Sequence, residues 1–223
     1  MCNNDEKKAL GQATERGAIA AHQRPIPAGT PTCSFEVMTV KATDILMEEH
    51  QLIKRLLKVL DTAVQRLEQG QMLRPEFFLE VADFNLHFTD RRHHRKEEAL
   101  FTSMVAHGLS AQTSAVALMP QEHRQGLVHN EDLRAMARRW QAGDDAARAT
   151  IIAAVNEYAA TLHQHIHEET HILFPIAKQI LPPEAQDELA ATFERIERED
   201  IAADAHPNYR ALVETLEHEV GLR

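Results

Sequence analysis

The sequence predicts an all-α protein, an up-down four-helix bundle with additional C-terminal helices. Three observations lead there. Glycine is scarce, with 8 in 223 residues, while Ala, Leu, Glu, Gln and Arg are abundant, a composition of helix formers. Apolar residues recur at spacings of 3 and 4 through four long segments, the pattern of a bundle's inner seam. No segment reads as a convincing strand.

The segments follow in order. Residues 1–40 lack sustained periodicity, and HQRPIPAGTPTC within them is rich in proline, so an irregular arm is expected there. The first helix is expected from about Asp44 to Glu68, stopped by Gly70. The second starts near Pro75, a first-turn residue, and runs to about His107 with Gly108 as its cap. The third covers about Pro120 to Gln141 and ends at Gly143. The fourth begins at Asp144-Asp145 and continues to about Ile180, before Pro182-Pro183. Two shorter helices, about Glu184–Ile201 and Pro207–Val220, complete the chain. The predicted organisation is an arm over 1–40, a bundle over 41–181 and a helical extension over 182–223.

Bulk properties remove several function classes. Asp and Glu outnumber Lys and Arg by 34 to 24, so nothing in the charge seeks nucleic acid or an anionic membrane. Cys2 and Cys33 are the only cysteines and form no CxxC, which argues against a thiolate metal site or a disulfide scaffold. No apolar h-region or membrane-length run is present, so a cytoplasmic location is expected. Histidine is the outlier: there are 14, and most lie between His50 and His171.

The seams sort these histidines. In the first helix the apolar row Leu46, Ile53, Leu57, Leu60, Val64, Leu67 contains His50 at a position that should be apolar. In the fourth, Ile151, Val155, Tyr158, Leu162, Leu173, Ile176 and Ile180 contain His165 and Glu169, four residues apart on one face. His163, His167 and His171 of HQHIHEETH fall on a stripe that faces away. In the third, Met119, Leu127, Asn130 and Leu133 contain His123, and Gly126 suggests a close backbone approach or a ligand channel. The second helix carries two overlapping HxxxE pairs, His93/Glu97 and His94/Glu98. The row Leu79, Ala82, Leu86, His93, Glu97, Leu100, Met104 weakly favours the first. Arg91, Arg92, Arg95 and Lys96 interleave with both pairs, and the outward-facing pair belongs to an ion-paired helix face.

Each long helix thus supplies one inward histidine, and two add a glutamate at the fourth following position. The candidate metal ligands are His50, His93, Glu97, His123, His165 and Glu169. Burying such a set in an aliphatic seam costs several kcal/mol unless the groups are paired or bind a cation. Four imidazoles and two carboxylates suit two ions bridged by the carboxylates, with two terminal histidines each. Donors of N and O without thiolate suit Fe, Mn or Zn.

The order H…HxxxE…H…HxxxE, carried by EEH, HHRKEEALF, EHRQG and HIHEETHILFP, resembles the hemerythrin-like (HHE cation-binding) family over about residues 43–200. It is most similar to bacterial hemerythrin-like and repair-of-iron-centres proteins. The resemblance implies a non-haem di-iron protein that binds or senses O2 or NO, with NO- or peroxide-related redox activity and a redox partner among its expected properties. Iron storage or trafficking and iron-centre repair are alternatives on the same bundle; a structural bundle with pH-responsive histidines is the alternative without metal. The sequence departs from invertebrate hemerythrin, which has HxxxH in its third helix. Here Leu127 follows His123 at that spacing, and His94 is the candidate for a fifth nitrogen. The fourth-helix HxxxxD is replaced by HxxxE.

Overall fold

The computed structural model describes residues 41–112, 115–203 and 208–222. The expected N-terminal arm, both cysteines and the expected last-helix start at Pro207 lie outside the described residues. Among the described residues every regular element is helical, and no helix is long and apolar enough to cross a membrane.

Helix α1 spans Ala42–Glu68. Helix α2 spans 75–106, α3 spans Met119–Gln141 and α4 spans 145–180. They close a four-membered ring, α1 against α4, α4 against α3, α3 against α2 and α2 back against α1. The ends fall where the sequence punctuates them. Gly70 and Gly143 adopt the left-handed φ that stops α1 and α3, at 77° and 95°. The Asp144 carboxylate accepts a hydrogen bond from the Ala146 N–H at 3.1 Å and starts α4. Two further helices follow, α5 (Pro183–Ala203) and α6 (Tyr209–Glu219).

Two of the long helices are not uniformly α-helical. Helix α2 widens into a π-helical stretch over Asn85–His93, and α4 does so over Glu169–Leu173. The His94 N–H bonds the Thr89 carbonyl and the Phe174 N–H bonds the Glu169 carbonyl, each five residues back rather than four. Such widening shifts the inward face by one residue. Of the expected row Leu79, Ala82, Leu86, only Ala82 is buried, and Leu79 and Leu86 are half-buried. Phe78, Val81, Asn85, Phe88 and Thr89 take the core side instead. In α4 the expected Ile176 and Ile180 give way to Phe174, Ala177 and Leu181. At the first widening the Asn130 amide donates to the Ala82 carbonyl and its oxygen accepts from Asn85, both at 3.0 Å. Asn130 therefore sits in the α3 seam as a polar tie to the altered helix.

The apolar core is split in two along the bundle axis. One part gathers Ile53, Leu57, Phe77, Phe84, Val155 and their neighbours under α6, whose Tyr209, Val213 and Leu216 seal it. The other gathers Leu46, Leu100, Met104, Met119 and Phe174 under α5, through Leu189 and Phe193. A polar layer lies between them.

Gly126 marks no close backbone approach: a Cβ there would meet nothing within 4 Å, and its φ is not left-handed. Glycine in a helix interior costs about 1 kcal/mol relative to alanine. Gly126→Ala is therefore expected to raise the thermal midpoint by roughly 2–4 °C in a circular dichroism melt.

Candidate metal centre

The layer between the two apolar cores is built from all four long helices. From α1 comes His50, in a turn flanked by Leu46 and Ile53. From α3 comes His123. From α4 come His165, on its last α-helical turn, and Glu169, at the start of the widened one. From α2 come His93, His94 and Glu97. The widening explains how neighbours 93 and 94 share one interior. In a uniform α-helix they would point about 100° apart. Here both are buried, and Glu97, one turn on, is buried with them.

All six residues selected from the sequence meet in this layer, and His94 joins them. Two groups form around a shared carboxylate: His50, His93, Glu97 and Glu169 on one side, and His94, His123, His165 and Glu97 on the other, each with donor atoms within 4.8 Å of one another. Glu97 Oε1 lies 2.8 Å from His93 Nε2 and 3.3 Å from His50 Nε2, while Oε2 lies 3.4 Å from His123 Nε2 and 3.9 Å from His165 Nε2. Glu169 straddles the groups in the same way, with Oε2 3.2 Å from His50 Nε2 and Oε1 3.4 Å from His165 Nε2. The rings of His94 and His123 stack in parallel, 3.8 Å apart. Glu98 is exposed, so the overlapping pair contributes its histidine and not its glutamate.

His94 is the residue the seam argument leaves out. Regular periodicity can place only one of two adjacent residues on the core face, and the sequence signals the helix widening only through the doublet itself. The fifth imidazole comes from α2, not from α3, where invertebrate hemerythrin carries its additional histidine.

The outer edges of four of the five rings meet a polar partner, while His123 Nδ1 has none among the described residues. His93 Nδ1 donates to Glu49 at 2.9 Å and His165 Nδ1 to Glu122 at 2.9 Å. His50 Nδ1 bonds the Thr170 hydroxyl at 3.2 Å, and Asp90 lies 3.4 Å from His94 Nδ1. A hydrogen bond at one ring nitrogen fixes the tautomer and turns the other nitrogen's lone pair inward, the arrangement of metal-binding histidines. Glu49 is itself gripped. The Lys96 ammonium, fully buried, donates to it at 2.5 Å and to Glu197 of α5 at 2.6 Å, with the Phe193 ring 5.8 Å away. Two more residues of the basic run also face α5: Arg92 pairs with Asp200 at 2.9 Å and Arg95 with Glu199 at 2.7 Å. Helix α5 braces the segment that carries His93, His94 and Glu97.

The inward atoms are left over. His93, His94, His123 and His165 Nε2, one Glu97 oxygen and both Glu169 oxygens are buried without a well-aligned hydrogen-bond partner among the described residues. Buried polar atoms are almost always satisfied, so seven orphans converging on one layer call for a ligand. The protonation balance gives the ligand's sign. Burial depresses His93, but the Glu97 charge and the Glu49 bond outweigh it and push the ring up to about 10. Burial likewise depresses His165, yet Glu169, Glu122 and Glu97 raise it to about 11. Burial and repulsion from Glu97 raise Glu169. The carboxylates thus draw protons onto His93 and His165, while burial and the neighbouring rings hold His94 well below the usual histidine range, so the carboxylate-rich side of the layer calls for positive charge. The donor set fits a pair of metal cations.

A family model for the hemerythrin HHE cation binding domain matches residues 41–177. The chain belongs to the hemerythrin HHE cation-binding family. The match takes in all four bundle helices and every residue of the layer, while α5, which supplies Glu197 to Lys96, lies beyond it. Similar curated proteins include uncharacterized proteins of Mycobacterium bovis and Mycobacterium tuberculosis, each 24% identical over 164 residues, or 73% of this hemerythrin-like chain and 64% of the relative. The aligned part thus spans less than two thirds of the relatives' own length. No solved structure matches it significantly.

Proposed function

We propose that the layer holds two iron ions and that the protein binds or senses a small diatomic ligand, O2 or NO, at them. The observation that supports this most is the convergence of unpartnered, buried donors around two shared carboxylates. In this reading Glu97 and Glu169, which each lie near rings of both groups, would hold both ions. His50 and His93 complete one side, and His94, His123 and His165 the other. Five ring nitrogens and four carboxylate oxygens would offer about nine donors to the two ions, fewer than two six-coordinate ions take, which would leave positions for an exogenous ligand. Ferrous iron in this setting supplies the electron density that O2 or NO needs in order to bind.

The chain's own contribution is shape and dryness. Glu49, Glu122, Thr170 and Asp90 fix the ring orientations. The apolar cores above and below keep bulk water from the layer. A storage protein must release its metal and is served by ligands that water can reach. Here every donor residue is buried, which favours a retained centre over a store.

Metal analysis of protein purified without chelator tests this reading, together with the optical spectrum of its oxidised form. Two irons per chain and near-ultraviolet charge-transfer absorption are expected. A single zinc and a featureless spectrum would overturn it. Paired variants locate the site on α4. His165→Ala should lose iron and melt well below the parent, because metal bound only by the folded state stabilises it by mass action. His163→Ala should keep both properties, since His163 is half-exposed and faces Asp61 at 3.8 Å.

A further inference from the structure

The motif HQHIHEETH carries more histidine than the buried layer uses. His167 and His171 are both exposed on α4, outside every contact made by that layer. Their rings lie side by side, with centroids 4.2 Å apart and planes inclined by 30°. The His171 Nδ1–H donates to the His167 carbonyl at 2.9 Å, which leaves the Nε2 lone pair of His171 directed away from the helix. Nothing in the fold requires two imidazoles to share this surface.

We propose that His167 and His171 form a second, exposed metal site that takes one late first-row divalent cation, Ni2+, Cu2+ or Zn2+, through one nitrogen of each ring. Residues four apart on a helix face are neighbours, and neutral imidazole is the preferred protein donor for these ions. Nitrogen-to-metal distances of about 2.0–2.1 Å need the near-stacked rings to splay slightly, and exposure leaves both free to do so. Two protein ligands leave the remaining positions to water, so this cation exchanges readily. The site is also placed to matter. The two histidines bracket Glu169 and Thr170, which face the opposite way, toward the buried layer and His50. A cation bridging 167 to 171 therefore clips the widened turn that carries a carboxylate of the inner centre. The outer site's existence does not depend on which metal the inner centre holds.

The test is a Ni2+ titration of the full-length, untagged protein at fixed neutral pH, with the buried centre left as purified and iron measured in each sample. The parent is expected to bind one more equivalent of Ni2+ than His171→Ala or His167→Ala, while iron content stays the same in all three. His107→Ala is the control. That ring is exposed and makes the same Nδ1 bond to a carbonyl, Ser103, but has no histidine one turn away. It should keep the extra equivalent, as should His163→Ala. Equal Ni2+ binding by the parent and either bracket variant would overturn the proposal, as would loss of the equivalent in His163→Ala.

Discussion

Glu97→Ala is expected to empty the buried centre altogether, whereas Glu98→Ala leaves it filled. Glu97 is the residue common to both donor groups, with one oxygen toward His50 and His93 and the other toward His123 and His165. Removing it takes a donor from each side and leaves His93 and His123 without their nearest inner carboxylate. Loss of both metals should follow, rather than loss of one. On the proposed di-iron reading, elemental analysis should fall from two irons to near none, and charge-transfer absorption should vanish. The adjacent Glu98 is exposed, so its alanine variant should match the parent in metal content and spectrum. Retention of a dinuclear spectrum in Glu97→Ala would remove the bridging role assigned to this carboxylate.

The second large effect is expected at a residue that donates nothing to the metal. The Lys96 side chain is fully buried and ties Glu49 of α1 to Glu197 of α5. Breaking a buried ion pair from one side costs about 3 kcal/mol or more, because the partner charge stays behind in a poorly solvated place. Glu49 is that partner: despite the penalty of burial, its bonds to His93 and Lys96 hold its carboxyl below the usual range. Lys96→Ala should therefore lower the thermal midpoint by roughly 10 °C. It should also weaken iron retention, since Glu49 would no longer be fixed to orient the His93 ring. Lys96→Arg keeps the charge and should recover part of both. A Lys96→Ala protein with parental melting and parental iron would show that the Glu49–Lys96–Glu197 link is ornamental.

Sequence pattern alone was sufficient for the helices and for six of the seven residues of the layer. Helix ends were marked by glycine and proline, and His50, His123 and His165 announced themselves as single polar interruptions of an apolar row. What stayed hidden has one physical origin. Periodicity assumes a constant number of residues per turn, and α2 and α4 each depart from it where they supply a carboxylate-containing pair. The departure moved Phe78 and Val81 inward in place of Leu79 and Leu86, turned Phe174 and Ala177 to the core, and admitted His94 beside His93. The role of the basic run around these histidines was hidden for another reason. Arg92, Arg95 and Lys96 meet acids more than 100 residues later in the chain, on α5, and no local rule relates them.

The polar layer also governs how the molecule comes apart. The two apolar cores each have their own capping helix, α6 on one and α5 on the other, and between them lies the layer of buried histidines and glutamates contributed by all four long helices. Cations held there would act as a shared rivet, so that loosening one end would strain the other and the whole bundle would unfold as a unit. Chelation would remove the rivet and leave the waist held only by buried carboxylates and imidazoles sharing protons. Hydrogen exchange in the chelated protein should then separate into two cooperative blocks, one at each end of the bundle, whose amides are protected to different degrees. In the metal-loaded protein the same amides should exchange together.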